Sequence, residues 1–138
     1  MDKPRCPEHI DRIIRAEIPD PIVEPELYNA VKSFMIHGPC GDHNKECPCM
    51  LNPKCMGKCF RSFPKKECKA TNSDVDGYPE YRRRLTGPNV HTIPELGKHK
   101  DINNSWVVPY NPYLLLKYNT HINVEICTSV SAYKYIFK

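Results

Sequence analysis

Seven side chains that can donate an electron pair to a soft cation crowd one short stretch: His37, Cys40, His43, Cys47, Cys49, Cys55 and Cys59. His37-Gly38-Pro39-Cys40-Gly41 sets an imidazole and a thiol in a Gly/Pro turn, a knuckle that aims both at one ion, and Cys55-Met56-Gly57-Lys58-Cys59 offers a second turn. Tetrahedral zinc takes four thiolate or imidazole donors of this kind, and bound zinc can stand in for a missing apolar core. The spacing leaves the set open. Cys40, Cys49 and Cys59 come first, His37 is the fourth donor, Cys55 or Cys47 are substitutes, and His43 comes last. A catalytic zinc needs an open coordination position and a nearby base, and this stretch supplies no base at suggestive spacing. The expected site is structural.

Two further groups carry chemistry of another kind. Arg82, Arg83 and Arg84 form a cationic triplet, and Lys65 and Lys66 lie in a basic stretch from Lys54 to Lys69; both are candidate phosphate contacts, or else solvated surface. Trp106, Tyr110, Tyr113 and Tyr118 could stack on unpaired bases, although aromatics beside Leu114-Leu115-Leu116 also suit a core. His121, Asn123 and Glu125 share the polar side of an alternating run.

The elements that must position these residues are short, because 14 prolines punctuate 138 residues. Pro7 starts a first helix whose Ile10, Ile13, Ile14 and Ile18 share one face up to Pro19. Leu27, Ala30, Val31, Phe34 and Met35 mark a second helix between Pro25 and Ile36. Glu80 to Arg84 reads as an edge strand, Thr86 to Asp101 as a variable loop, Trp106-Val107-Val108 as strand-like and Pro112 to Lys117 as a short helix. Ile122, Val124 and Ile126 alternate with polar neighbours as in a half-buried strand. Ser129 caps a closing helix with Val130, Tyr133 and Phe137 on one face and Ser131, Tyr135 and Lys138 on another. The expected fold is a small α+β domain with short helices, a few antiparallel strands and a zinc-stapled Cys/His loop. Its segments are a helical leader (1–36), the Cys/His-rich loop (37–70) and a mixed α/β stretch (71–138).

Net charge is +4, and the leader is acidic: up to Ala30 it has four basic and seven acidic residues, which leaves +7 for the rest. No apolar run of signal-peptide length follows Met1, and no stretch approaches the roughly 18 apolar residues of a membrane span. The expected setting is nuclear or cytoplasmic, where eight cysteines are better metal ligands than disulfide partners. Cys6 and Cys127 are expected to be ordinary buried thiols.

Taken together, Ile36-His37-Gly38-Pro39-Cys40-Gly41, Asp76-Gly77-Tyr78-Pro79-x-Tyr81-Arg82-Arg83-Arg84 and Val107-Val108-Pro109-Tyr110-Asn111-Pro112-Tyr113-Leu114-Leu115-Leu116-Lys117 resemble the Helitron transposase family. The Pro4 to Pro21 leader, Phe63-Pro64-Lys65 and His121-Ile122-Asn123-Val124-Glu125 extend the resemblance over nearly the whole chain.

The resemblance implies a rolling-circle transposition protein, a tyrosine DNA endonuclease joined to an ATP-driven helicase, with this chain as a central segment. Its partner would be single-stranded DNA or DNA at transposon ends. In that family a tyrosine attacks a phosphodiester while a divalent metal on paired histidines polarises the phosphate. A phenol is a weak nucleophile at neutral pH, and the transition state needs charge neutralisation. The family's Tyr-x-x-Lys-Tyr motif matches Tyr135-Ile136-Phe137-Lys138 in its first part, making Tyr135 the implied nucleophile and Lys138 its phosphate or phenolate partner. Helical spacing also favours Tyr135 over Tyr133, which shares the apolar face. The Cys49-Met50 to Cys59 interval is longer than the family pattern, which reopens the zinc ligand set. The sequence has no His-x-His and no phosphate-binding Gly-x-x-x-x-Gly-Lys-[Ser/Thr], so no nicking or unwinding is expected from this chain alone. The alternative reading is a non-catalytic, zinc-dependent nucleic-acid-binding module; a decayed reading frame would need no metal.

Overall fold

Pro7 needs no N–H in a first helical turn, and helix α1 runs Pro7–Ile13 from there. The computed structural model describes residues 6–39, 62–73 and 77–128. The helix stops at Ile13 because Arg15 pairs with Tyr110, each N–H donating to the other's carbonyl at 2.9 Å. Ile14, Ala16 and Ile18 are buried and alternate with the more open Arg15 and Glu17. Ile14 and Ile18 therefore belong to a period-two extended tail, not to the helical face that their spacing of four suggests. A spacing of four satisfies both periods, and the partner at Tyr110 decides between them.

Asp20 Oδ1 accepts the amides of Ile22 and Val23 at 2.7 and 3.2 Å, which turns the chain into α2 (Pro25–Phe34). Leu27, Ala30 and Val31 form its buried stripe. Beyond it, Met35 to His37 lies antiparallel to Trp106 to Val108: Val108 N–H donates to Met35 and His37 N–H to Trp106, both at 2.8 Å. Trp106 closes a 3₁₀ turn from Asn104, and Val107 pairs with Ile36 as an isolated bridge, so the strand-like reading of this run holds only for that contact.

Thr86 to Asp101 is not an irregular loop. It contains β1 (Ile93–Leu96), which pairs antiparallel with β2 (His99–Ile102), with Ile93 opposite Ile102. Gly97 takes the first turn position at φ +61°, where a side chain would be strained. The expected strand from Glu80 to Arg84 is present only as two isolated bridges, Asn72 with Glu80 and Cys68 with Arg83. Four residue steps on one side oppose three on the other, so no continuous ladder forms. α3 (Pro112–Tyr118) is capped by Asn111, whose Oδ1 accepts Leu114 N–H at 2.9 Å, and ends on Asn119 in the left-handed region at φ 48°. After it, Ile122, Val124 and Ile126 are half buried and alternate with exposed polar residues as expected, but without a ladder. Val124 N–H donates to the carbonyl of Pro109, which has no N–H to return.

Among the described residues the fold is thus a small mixed domain of three helices and one antiparallel pair. The larger apolar cluster joins α2 to Ile93, Ile102, Trp106 to Val108, Tyr110 and Leu115. The smaller joins Ile10, Ile14, Ala16 and Tyr81, with Val124 and Ile126 against it. Leader residues and residues beyond 71 share both clusters. No helix among the described residues is long and apolar enough to cross a membrane.

Candidate functional site

The arginine triplet is spent largely inside the fold. Arg83 is buried, and its Nη1 donates to the carbonyls of Asn104 and Val107 at 2.5 and 2.7 Å. Desolvation pushes its guanidinium down to about 10, which still leaves it charged at neutral pH. A buried side chain braced on two carbonyls cannot reach a phosphate, so Arg83 is corrected from nucleic-acid contact to structural brace.

Arg82 and Arg84 converge on Glu17. Arg84 Nε and Nη2 donate to its carboxylate at 2.8 and 2.9 Å, Arg84 N–H at 3.1 Å and Arg82 Nε at 3.1 Å. Burial alone would raise the Glu17 carboxyl. The side-chain and backbone hydrogen bonds of Arg84, with the charges of both arginines, outweigh it and hold the group below the usual carboxylate range. A phosphate approaching Arg82 or Arg84 would compete with a carboxylate already in place.

Glu17 and Asn104 were not legible as site-forming residues. Asn104 is fully buried. Its Oδ1 accepts Ile18 N–H and its Nδ2 donates to Arg84, both at 2.7 Å, while its own carbonyl takes Arg83. One amide thereby ties the leader to the triplet. Nothing in Asn103-Asn104-Ser105 signals burial: Asn103 Oδ1 caps the 3₁₀ turn locally by accepting Ser105 N–H at 3.0 Å, but the side-chain partners that bury Asn104 are distant in sequence. Thr71 joins the same network, donating to Asp11 and accepting Arg82 N–H at 2.9 Å.

His37 is placed at the edge of the described body. Its ring stacks on Phe63 with centroids 4.3 Å apart and planes 11° from parallel, and Lys65 Nζ lies 5.1 Å over the same Phe63 ring. His37 Nδ1 lies 2.9 Å from the Gly38 carbonyl. With the proton on Nδ1, that contact orients the imidazole, as hydrogen bonds from the second ring nitrogen do in metal-binding histidines. The other expected zinc donors, Cys40, Cys49, Cys55 and Cys59 with Cys47 and His43, lie outside the described residues, as do Tyr135 and Lys138. Among the described residues no three His, Cys, Asp or Glu side chains group closely enough to hold a metal ion.

Lys65 and Lys66 line a cavity of about 500 Å³ with Arg83, Glu67, Glu80 and Glu125, so its charges are mixed. Cys68 borders it, and its thiol donates to the Ala70 carbonyl at 3.0 Å; burial raises it above the ordinary thiol range, away from reactivity. Cys6, Cys68 and Cys127 are free and half buried. His121 Nδ1 lies 2.6 Å from the Phe34 carbonyl, which holds it beside the end of α2. The four candidate stacking aromatics divide: Trp106 and Tyr110 are core, the Tyr110 hydroxyl donating to Glu17 at 2.8 Å, whereas Tyr113 and Tyr118 face solvent.

No protein-family profile and no curated protein matches this chain.

Proposed function

We propose that this chain is part of a Helitron-type rolling-circle transposition protein, and that its body holds DNA beside the nicking chemistry without performing that chemistry itself. The observation that carries the reading is convergence. The three segments bearing the resemblance are distant in sequence, yet Met35 to His37 pairs with Trp106 to Val108, and Arg83 braces the Val107 carbonyl. Residues that would otherwise be scattered similarities are the ones that close this fold. In this reading Tyr135 is the nucleophile and Lys138 its cationic partner once paired histidines and a divalent metal are supplied from elsewhere.

The test uses the full chain and a labelled single-stranded DNA oligonucleotide. Fluorescence anisotropy should show binding that weakens steeply with salt, as phosphate contacts require. A denaturing gel after incubation with Mn²⁺ should show neither cleaved strand nor covalent adduct. Absence of binding at low salt would sink the reading, and cleavage by this chain alone would sink its non-catalytic half.

A second reading, a zinc-dependent nucleic-acid-binding module, is favoured by the Cys/His-rich stretch from His37 to Cys59. Elemental analysis of purified protein should then find about one zinc per chain, and chelation should weaken oligonucleotide binding. Metal-free protein that binds DNA as tightly would rule it out.

A further inference from the structure

We propose that the outer face of α3 is a stacking platform for single-stranded DNA, built from Tyr113 and Tyr118 with Lys117 between them. The proposal rests on the nucleic-acid reading above and assigns it a surface. α3 buries Leu115 and packs against α2, yet it leaves Tyr113 67% exposed, Tyr118 57% and Leu116 45%. For a helix of only seven residues this is a dense display of rings, and no core cluster among the described residues includes them. Isolated exposed apolar residues need no explanation, but two aromatic rings arranged around one cation do.

The cation identifies the occupant. Lys117 Nζ lies 5.6 Å from the centre of the Tyr113 ring and 5.4 Å from that of Tyr118, so the ammonium is held between two π-faces. No carboxylate among the described residues pairs with it. The sequence has no acidic residue between Asp101 and Glu125, so Lys117 sits in a stretch without local negative charge; Glu26 lies across the groove beside Leu116. An apolar protein surface docking here would strip water from Lys117 and return no counter-charge. Single-stranded DNA supplies both requirements: flat bases for the rings and a phosphate for the ammonium. Duplex DNA supplies only the phosphate, because its bases are already stacked.

The exposed positions allow substitution without disturbing the core, and Trp106 emission reports whether each variant folds. With an oligo-dT probe and the full chain, Tyr113→Ala and Tyr118→Ala should each weaken binding about tenfold. Tyr113→Phe and Tyr118→Phe should hold wild-type affinity within about twofold, since stacking needs the ring and not the hydroxyl. Lys117→Gln should lower the salt dependence by about one phosphate contact. Alanine variants that bind as tightly as a salt-sensitive wild type would overturn the platform and leave the nucleic-acid reading standing. A wild type that binds no oligonucleotide overturns both. Equal competition by a duplex of the same length, or preferential capture of RNA, would also overturn the assignment.

Discussion

Glu17 ties three residues of the fold together: Arg82, Arg84 and Tyr110. Its carboxylate, largely shielded from water, neutralises Arg82 and Arg84, and its backbone carbonyl receives the Tyr110 hydroxyl. Glu17→Gln should cost about 1–3 kcal/mol at neutral pH, discounted for the partial exposure of both arginines, as read from denaturant melts. The pH dependence has a definite sign. A folded-state carboxyl held below its unfolded value of about 4.5 contributes fully above that value and loses its contribution as pH falls through the lowered folded one. The stability difference between wild type and Glu17→Gln should therefore be flat from pH 7 to 5 and shrink below that; a difference that grows on acidification would refute the assignment. Arg83→Met should cost about 2–4 kcal/mol, because two buried carbonyls lose their donor. The same substitution should leave the salt slope of oligonucleotide binding unchanged, unlike a true phosphate contact.

Elements marked by proline and apolar spacing were legible: α2 starts at Pro25 but ends at Phe34 and not near Ile36, and α3 runs from Pro112 to Tyr118, one residue past the expected Lys117. The start of α1 was equally legible, but its end was not, since Ile14 and Ile18 fit two periods and the choice belongs to Tyr110. The β1–β2 hairpin escaped because its strands are four residues long, one contains Pro94, and only Ile93 and Ile102 are buried. Of the candidate site, His37 lies at the edge of the described body, and Tyr113 and Tyr118 face solvent. Arg83, Trp106 and Tyr110 do not, because burial is a property of the assembled molecule and no local pattern announced it. Asn111 shows how one side chain can serve two elements: its Oδ1 caps α3 and its Nδ2 donates to the Ile13 carbonyl at 2.8 Å. Asn111→Ala should destabilise the protein by about 1–2 kcal/mol, and Asn111→Asp, which keeps the cap but loses the donor, by less. Equal losses in thermal melts would show that the cap contributes nothing.

On the scale of the whole molecule, the leader is stitched into the body. Arg15 and Ile18 amides donate to Tyr110 and Asn104, and α1 shares a cluster with Tyr81, Val124 and Ile126. Hydrogen exchange should therefore find the amides of Arg15, Ile18 and Val108 opening with one common free energy, that of global unfolding. Leader amides exchanging orders of magnitude faster than Val108 would show two independent units. The stacked pair of His37 and Phe63 is anchored on the same body. His37 N–H donates to Trp106, and Lys65 N–H, two residues beyond Phe63, donates to Ser105, so both sides of the stack hang on consecutive residues. A disturbance of Ser105-Trp106 therefore reaches the imidazole and the phenyl together.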